Sequence, residues 1–328
     1  MNKEKTYDII IPVGRKDVNF VPRVVEFITR CLSGVEHIYI LTNQKYISGI
    51  SKKLRKYTQC VVLDENNLLQ GLSFIKVREL IKRNAPQYVD MTGWYFQQFL
   101  KLGFAISKYS KQYYLSWDAD TLPLAPIKFF DGDKILFNPK HENHVAYFDT
   151  MTQILGFGKQ VEVSFISESM MFSVAIVKEM ISMINISSDK TYWIENIIKS
   201  CDLERSPQSF SEFETYGNYC AKYHPELYKP RHLNTFREAG LIRGRYISEK
   251  QLREMSFDLD MASFELSHMP SFPYNIPNLI WFVNKKVTKI KALSIKEIIE
   301  ELSSEFSGKQ HLEEGFYRLP DRPMGSNM

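Results

Sequence analysis

About a third of the way along, the chain reads Tyr113-Tyr114-Leu115-Ser116-Trp117-Asp118-Ala119-Asp120-Thr121. The run up to Trp117 is aromatic and apolar, and it predicts a strand. Residues i and i+2 of an extended segment point the same way, so the carboxylates of Asp118 and Asp120 can converge on one divalent cation. Mg²⁺ or Mn²⁺ held in this way can neutralise a diphosphate and help it to leave. The segment therefore predicts a metal site at a strand end.

The same Asp-x-Asp pattern occurs three times, and only its surroundings separate the copies. Asp131-Gly132-Asp133 contains a glycine and predicts a turn. Asp258-Leu259-Asp260 lies in a helical or irregular stretch. Asp118 and Asp120 alone end an aromatic and apolar strand, where an α/β sheet presents its ligands. The simpler alternative, a polar strand end that binds no metal, stays open.

The first part of the chain alternates strand-like and helix-like segments. Strands are predicted at Asp8–Val13, His37–Leu41 and Cys60–Leu63, with a helical pattern at Val21–Ile28 after the first. This order predicts an α/β fold with a mixed, mostly parallel sheet flanked by helices. Ligands of such sheets sit at the carboxyl ends of the strands, so a nucleotide is sought at the polar residues that follow them. These are Arg15, Asp17, Thr42, Asn43, Asp64 and Glu65, although strand-end loops are polar in any case.

The rest of the chain is less regular and shows no repeat. A helix is predicted at Thr92–Tyr109, with Thr92 as its cap and with Gln97 and Lys101 on one face. Further strands and helices are predicted at Lys134–Phe137, Ser169–Ser173, Ala175–Met183, Thr191–Cys201 and, near the end, from Ser294. No linker divides the chain convincingly, so a single domain with an elaborated second half is expected.

Charge and cysteine content exclude several classes of protein. There are 42 basic and 38 acidic residues, and the net charge of +4 gives no reason to expect nucleic-acid binding but suits a small anionic ligand. The four cysteines are far apart, which argues against a disulfide framework or a cysteine-built zinc site and favours a reducing cytoplasm. No signal peptide is visible, and the uncharged stretch Met269–Val283 is too short and proline-rich to span a bilayer. Peripheral membrane contact stays open.

Several blocks of sequence resemble the GT-A glycosyltransferases. They are Ile11–Val13, Gly93–Leu102, Trp117–Thr121, Glu168–Phe172 and Ser211–Gly217. More narrowly, they resemble a bacterial group associated with capsule and lipopolysaccharide O-antigen synthesis. The Asp-x-Asp motif is general to the superfamily, whereas the Gly-Trp-Tyr-Phe-Gln-Gln and Ser-Glu-Phe-Glu blocks are more specific to the narrower group. The similarity spans roughly residues 7–270, most of the chain.

The resemblance implies a GT-A-type fold, a nucleotide-sugar donor, Mn²⁺ or Mg²⁺, and a saccharide acceptor that can be lipid-linked. A UDP-sugar is favoured because it is the commonest partner of the metal motif in this superfamily. Within a single domain, residues 7–125 would bind the nucleotide sugar, residues 126–285 would bind the acceptor, and residues 286–328 would form a C-terminal helix and tail. The enzyme would work in the cytoplasm or at the inner face of the membrane.

The resemblance also suggests individual site residues. The donor would contact Pro12, Val13, Arg15, Asp17, Thr42, Asn43, Asp64, Gln97, Lys101, Asp118 and Ala119. Asp118, Asp120 and His268 would ligate the metal, although a lone histidine is more often a surface or packing residue. Glu168 and Trp94 would bind the acceptor. A basic group would meet the diphosphate or an acidic acceptor, unless it is a solvated face; its members are Arg231, His232, Arg237, Arg243 and Arg245.

An inverting sugar transfer needs a base that takes the proton of the acceptor hydroxyl. Glu212 and Glu214 precede a helix-like segment and are the two candidates, with Glu212 preferred. Acidic residues are also favoured at helix N-termini for electrostatic reasons alone. An enzyme that retains the donor's anomeric configuration would need no such base.

Two other functions fit the same residues. A nucleotidyltransferase or another nucleotide-sugar enzyme would use the carboxylates for phosphoryl chemistry. It would normally carry a glycine-rich loop after its first strand, and Ile11–Lys16 contains only one glycine. A non-catalytic carbohydrate-binding protein would use the aromatic side chains alone, and it would need neither metal nor nucleotide.

Overall fold

The computed structural model describes residues 5–280 and residue 283. The chain forms two compact units, Met1–Ser271 and Phe272–Met328. In the second unit, residues 272–275 form a turn and residues 276–280 are helical. The C-terminal helix predicted from Ser294 and the predicted tail lie outside the described residues. No helix in the described part of the chain is long and apolar enough to cross a bilayer.

The first unit alternates strands and helices along most of its length. Its strands are β1 (Tyr7–Val13), β2 (Val35–Thr42), β3 (Cys60–Asp64), β4 (Tyr113–Trp117), β5 (Thr121–Pro123), β6 (Phe130–Asp131), β7 (Lys134–Phe137), β8 (Ser169–Ser173), β9 (Tyr228–Pro230), β10 (Thr235–Phe236) and β11 (Met261–Ser263). Its α-helices are α1 (Val21–Cys31), α2 (Gln44–Leu54), α3 (Phe74–Asn84), α4 (Thr92–Gly103), α5 (Val145–Leu155), α6 (Val174–Ile184), α7 (Tyr192–Ser200), α8 (Glu212–Tyr223), α9 (Gly240–Arg243) and α10 (Glu249–Met255). Short 3₁₀ helices lie between them at Glu65–Asn67, Pro86–Met91, Phe104–Ile106 and Pro225–Leu227.

The main sheet has five strands in the order β3-β2-β1-β4-β8. The first four are parallel, and β8 pairs with β4 in the antiparallel sense. β1 lies in the middle and all seven of its residues are buried, as its apolar run predicts. The predicted mixed, mostly parallel sheet flanked by helices is confirmed. Because the strand order reverses at β1, the carboxyl ends of β1 and β4 form a crevice where such sheets bind ligands.

Helices cover both faces of this sheet. Successive residues of a strand point to opposite faces, so Ile9 and Ile11 pack on one side and Ile10 on the other. The cluster around Ile9 and Ile11 includes residues of α1 and α2. The cluster around Ile10 includes residues of α3, α4, α6 and α7. The two layers fix the carboxyl edge of the sheet between them.

Two small three-stranded sheets, β10-β11-β5 and β6-β7-β9, elaborate the second half. β11 pairs antiparallel with β5 and places Ser263 opposite Thr121. Because β5 begins directly after Asp120, this pairing brings the chain that follows β11 beside the two aspartates of the motif. The predicted turn at Asp131-Gly132-Asp133 is confirmed, since it joins β6 to β7 with Gly132 at a φ of +59°.

α4 is shorter than the predicted helix, and its start is built differently. It ends at Gly103 and continues as the 3₁₀ turn Phe104–Ile106. The prediction of Thr92 as cap is wrong, because Thr92 already has helical dihedral angles and Met91 stands at the N-cap without a side-chain bond. The Thr92 hydroxyl donates instead to the Val89 carbonyl at 2.6 Å. The preceding 3₁₀ turn therefore leads directly into the helix.

Candidate active site

A cleft of about 640 Å³ opens at the carboxyl ends of β1 and β4. It is walled by the loop after β1, by α4, by the link from β4 to β5, by the segment before β8, and by residues around the start of α8 and the end of β11. We call it the charged cleft. Its charged residues come from these elements, from the segment before α5 and from the residue after β10. They are Lys16, Asp17, Lys101, Asp118, Asp120, Glu142, Glu168, Glu212, Arg237 and Glu265.

Lys101 links three elements inside the charged cleft. α4 carries its side chain into the protein, where it is 5% exposed. Its Nζ lies 3.0 Å from Asp118 Oδ1, 2.8 Å from Glu212 Oε1 and 4.3 Å from the centre of the Phe213 ring. Burial lowers the pKa of Lys101, but the two carboxylates outweigh burial and hold the pKa above its usual value. The lysine therefore stays charged and fixes both carboxylates.

The two acidic residues at the start of α8 have different surroundings. Ser211 caps the helix, because its Oγ accepts a hydrogen bond from the Glu214 N–H at 3.2 Å. Glu212 is buried and lines the charged cleft. Glu214 is not among the cleft residues, and its carboxylate accepts hydrogen bonds from Ser164 and, at 3.1 Å, from Asn218 Nδ2. Burial raises the pKa of both glutamates, but only Glu212 faces the space where a ligand would lie.

Asp120 sits among other acidic groups. Its side chain is 15% exposed, and its backbone carbonyl accepts a hydrogen bond from the Phe264 N–H at 2.8 Å. Burial, together with the charges of Asp17 and Asp118, raises the pKa of Asp120 to about 7. Lys16, whose Nζ lies 3.8 Å from Asp120 Oδ2, opposes this only in part. A divalent cation between Asp118 and Asp120 would relieve this crowding of negative charge, so the pair fits such an ion.

The third predicted metal ligand lies elsewhere. His268 does not line the charged cleft and packs against Gly240, where an added Cβ would lie 2.9 Å from the His268 Cβ. Glu265, which follows β11, lines the cleft instead. Over residues 5–280 and 283, one set of three metal-binding side chains has ligand atoms within 4.8 Å of one another. It is formed by Asp8, Glu36 and His37, near the amino ends of β1 and β2, away from the cleft.

Glu168 has unused hydrogen-bonding capacity. It is 3% exposed and lines the charged cleft, yet neither carboxylate oxygen has a hydrogen-bond partner in the described part of the chain. The neighbouring cations are Lys140 Nζ at 3.7 Å and Arg237 Nε at 3.6 Å from Glu168 Oε1. Buried carboxylates are rarely left without hydrogen bonds, so these oxygens are suited to the hydroxyls of a bound sugar. Trp94 also lines the cleft and stacks on Tyr147 at 6.5 Å between ring centres.

A second cavity of about 410 Å³ adjoins the charged cleft at the ends of β1 and β2, and we call it the strand-end pocket. Both cavities share Pro12, Gly14, Gly93 and Gln97. Of the residues predicted to contact the donor, five line the strand-end pocket: Pro12, Val13, Arg15, Asn43 and Gln97. Its other side chains include one carboxylate and three aromatic rings, which are Glu65, Tyr46, Phe74 and Phe96.

Residues 18–241 match a protein family described as DUF6492, a family of unknown function. This stretch contains α4, the Asp118-Ala119-Asp120 motif and the start of α8. The chain belongs to the DUF6492 family. No curated protein matches it.

The DUF6492 chain is similar to several solved structures. One is mouse xyloside xylosyltransferase 1 in its apo form, with 11% identity and a TM-score of 0.43. The similarity covers 81% of this chain and 99% of the xylosyltransferase chain. The galactosyltransferase LgtC in complex with donor and acceptor sugar analogues gives 9% identity and a TM-score of 0.39, over 78% of this chain and 86% of LgtC. Core-mannan synthase A of Aspergillus fumigatus in its Mn/GDP form gives 7% identity and a TM-score of 0.44, over 69% of this chain and 73% of the synthase chain. At these identities the likeness concerns the fold alone.

Some residues predicted to bind the donor do other work in the DUF6492 chain. Thr42 is fully buried, and its Oγ1 donates to the Val13 carbonyl at 2.9 Å, which ties β2 to β1. The Asp64 carboxylate accepts hydrogen bonds from Asn66 and Asn67 in its own turn. Asp17 lines the charged cleft, but Arg245 pairs with its carboxylate. Lys101, Asp118 and Ala119 line the charged cleft as predicted.

The predicted basic group is dispersed in the DUF6492 chain. Arg245 is buried and donates to the Lys16 carbonyl at 2.7 Å and the Phe264 carbonyl at 2.6 Å, so it fastens the loop after β1 to the end of β11. Arg231 stacks on the Phe129 ring at 4.6 Å. Of the five basic residues, Arg237 lines the charged cleft.

The sequence does not predict Lys16 or Glu265 as site residues, and it indicates Glu65 only as one of the polar residues that follow strands. Lys16 has a detectable signal, since it follows β1 within the loop that lies beside the Asp-x-Asp motif. Glu265 could be found only through the antiparallel pairing of β11 with β5, which no local pattern predicts. Glu65 follows β3 directly, so its position after a predicted strand is the signal that indicates it.

Proposed function

We propose that this DUF6492 chain is a glycosyltransferase that moves a sugar from a nucleotide-sugar donor to a saccharide acceptor. One observation carries the proposal: two adjoining cavities lie at the carboxyl ends of the parallel strands, and they differ in chemistry. The strand-end pocket has the aromatic and polar groups that suit a nucleoside. The charged cleft has the acidic and basic groups that suit a diphosphate, a metal and sugar hydroxyls. The nucleoside would lie in the first, and the reacting groups in the second.

Asp118 and Asp120 would hold Mn²⁺ or Mg²⁺. Mg²⁺ is commonly bound by one or two carboxylates together with substrate phosphates, so two aspartates are sufficient protein ligands. The raised pKa of Asp120 supports this, since it reflects a place where negative charge is in excess. When bound, the cation would neutralise charge on the departing diphosphate. Lys16 lies close enough to Asp120 to contact the same phosphates.

Glu212 would act as the base of an inverting transfer. The acceptor hydroxyl oxygen forms a bond to the anomeric carbon, the bond from that carbon to the diphosphate oxygen breaks with its electron pair on the diphosphate, and the hydroxyl proton passes to Glu212. The burial that raises the pKa of Glu212 strengthens it as a base, while Lys101 keeps it in position. Glu168 and Trp94 would bind the acceptor hydroxyls and one face of its ring.

The wider setting follows from the resemblance of the sequence blocks described above. It supports a role in bacterial surface polysaccharide synthesis, a lipid-linked saccharide acceptor, and work in the cytoplasm at the inner face of the membrane. Residues 7–125 would supply the donor half and residues 126–285 the acceptor half. A UDP-sugar is the donor that the resemblance favours. The residues of the strand-end pocket offer independent evidence on which nucleobase the donor carries.

A screen of sugar nucleotides tests the proposal. Purified protein is incubated with UDP-, GDP-, CDP- and dTDP-sugars, with Mn²⁺ or with excess EDTA, and release of the nucleoside diphosphate is measured. We expect slow hydrolysis of one nucleotide class that requires metal. Undiminished hydrolysis in EDTA would contradict the metal-dependent mechanism. Binding of saccharides without any nucleotide affinity would favour the carbohydrate-binding alternative.

A further inference from the structure

The strand-end pocket contains a carboxylate that the local turn does not use. After β3 the chain reads Asp64-Glu65-Asn66-Asn67. Asp64 Oδ1 accepts from the Asn66 N–H at 3.0 Å, and Asp64 Oδ2 accepts from Asn67 Nδ2 at 2.9 Å. Asn66 Oδ1 in turn accepts from the Phe74 N–H at 2.9 Å. These bonds order the segment, and they leave Glu65 as the acidic side chain that lines the pocket.

Asn43 lines the strand-end pocket together with Glu65. Asn43 is the N-cap of α2, and its Oδ1 accepts from the Lys45 N–H at 3.3 Å. The Asn43 side chain favours the charged form of the Glu65 carboxylate. The carboxylate therefore lies at the pocket wall near an amide side chain that the start of α2 keeps in place. A carboxylate offers only acceptors, so it can read N–H groups of a bound base.

Three aromatic rings, Tyr46, Phe74 and Phe96, also line the strand-end pocket. Phe74 meets Phe96 edge to face at 5.8 Å between ring centres, and Lys45 Nζ lies 4.9 Å from the centre of the Tyr46 ring. Stacking on such rings strengthens the binding of every base, because every base has a π-face. Stacking therefore gives affinity without much discrimination, and the choice among bases depends on the polar side chains of the pocket. These are Arg15, Asn43, Lys45, Glu65 and Gln97.

We propose that Glu65 reads the nucleobase of the donor and that the strand-end pocket selects guanine. This inference rests on the proposed function, because it takes the pocket as the nucleoside site. Guanine presents two adjacent donors, N1–H and the N2 amino group, which match the two oxygens of one carboxylate. Uracil presents a single N3–H between two carbonyl oxygens, so a carboxylate that meets it also meets an acceptor. The assignment departs from the UDP-sugar that the sequence resemblance favours.

The charges around Glu65 add a pH dependence. Burial raises the pKa of Glu65 to about 7, and the neighbouring charge of Asp64 adds to this, while the hydrogen bond from Asn43 and the charge of Lys45 oppose it. Arg15 is a further charged residue of the pocket. Above pH 7 the carboxylate is anionic and complements guanine. Below pH 7 it gains a proton, becomes a donor as well as an acceptor, and can pair with uracil.

The test measures binding of GDP and UDP to the full chain by calorimetry, with Mg²⁺, at pH 8 and pH 6. A bidentate base contact discriminates by a factor of about 5 to 150, so GDP should bind more tightly than UDP by that factor at pH 8. The ratio should fall at pH 6, and comparing two nucleotides cancels the titration of their phosphates. UDP binding as tightly as GDP at pH 8, or a ratio unchanged with pH, would overturn the inference.

Two matched variants complete the experiment. Glu65→Gln replaces one acceptor by a donor, so the preference for GDP should be lost and the ratio should no longer depend on pH. Asp64→Asn keeps an acceptor for the Asn66 N–H, so it should leave the preference in place. An unchanged ratio in Glu65→Gln would overturn the reading role of Glu65. If neither nucleotide binds the wild-type protein, the guanine assignment fails, and the proposed function fails with it only when CDP and dTDP do not bind either. A preference for UDP removes only the guanine assignment.

Discussion

The charged cleft and the strand-end pocket share a wall, yet they are assembled in different ways. In the cleft, charged groups are paired across long stretches of chain, as in Lys101 with Glu212 and Arg237 with Glu168. In the pocket, polar groups come from the segments that directly follow strands, as with Arg15 after β1, Asn43 after β2 and Glu65 after β3. The cleft therefore depends on the whole fold, whereas the pocket is set by strand ends and short turns. Substitutions in the two regions should differ in what they disturb.

The largest effect is expected from Asp120→Ala in the charged cleft. Loss of a carboxylate that would hold the metal should lower the transfer rate by a factor of roughly 10³ or more. The fold should survive, because burial and neighbouring acidic groups already oppose the charge of Asp120. Asp131→Ala is the matched control, since it removes an aspartate from another Asp-x-Asp copy whose side chain is 58% exposed. Equal transfer rates in the two variants would show that the cleft does not hold the metal.

The next effect separates the two glutamates at the start of α8. Glu212→Gln should lower kcat by roughly 10²–10⁴-fold while donor affinity survives, because a base acts in the chemical step. Glu214→Gln should lower kcat far less, since the Glu214 carboxylate is directed to Ser164 and Asn218. Steady-state kinetics with a donor titration distinguish the two. Near wild-type turnover in Glu212→Gln, or a product that retains the donor's configuration, would remove Glu212 as the base.

Lys101→Met tests whether the charged cleft depends on the fold as a whole. Removing the ammonium leaves Glu212 buried without its partner, so the free energy of unfolding should fall by about 3 kcal/mol in urea denaturation. The double variant Lys101→Met/Glu212→Gln should recover part of this loss. By contrast, Glu65→Gln in the strand-end pocket should change stability by less than about 1 kcal/mol. A Lys101→Met variant as stable as the wild type would contradict the electrostatic role of Lys101.

The same contrast explains how much could be predicted from sequence. The run Tyr113–Trp117 is β4 with the bounds that its apolar pattern predicts, and Arg15 and Asn43 line the pocket because they follow strands directly. Thr42 is still within β2, and its hydroxyl donates to the carbonyl of Val13, its partner on β1, instead of facing the pocket. The local sequence predicts which residues lie at the end of a strand, but it does not predict the direction in which a single side chain points.

Pairings across the chain were beyond the sequence. Lys101 and Glu212 are both predicted site residues, but nothing local indicates that α4 and α8 bring Lys101 Nζ to 2.8 Å from Glu212 Oε1. The prediction of His268 as a metal ligand likewise depended on where the chain after β11 would run. The structure places Glu265 in the cleft and His268 against Gly240. Tertiary packing determines both the Lys101–Glu212 pair and the positions of Glu265 and His268.

The smallest effect concerns the pH dependence of stability, through Asp120→Asn. The pKa of Asp120 is about 7 in the folded protein, above its ordinary value of 3.8, so the native state holds this proton more tightly than the unfolded state. Stability from this group is present at low pH and is lost as pH rises through 7. In EDTA, Asp120→Asn should therefore be more stable than the wild type at pH 8, by about 1–2 kcal/mol, and similar to it at pH 4.

Asp131→Asn supplies the control of opposite sign. Its hydrogen bond with Lys229 lowers the pKa of Asp131, so that carboxylate favours the folded state at neutral pH, and removing it should slightly lower stability at pH 8. Urea denaturation of both variants and the wild type at pH 4 and pH 8 gives the comparison. Adding Mn²⁺ at pH 8 should then stabilise the wild type but not Asp120→Asn, because the cation takes the place of the proton on a carboxylate that the variant lacks. If Asp120→Asn is no more stable than the wild type at pH 8, the charged cleft does not hold excess negative charge at Asp120, and the fit of this site to a divalent cation loses its electrostatic support.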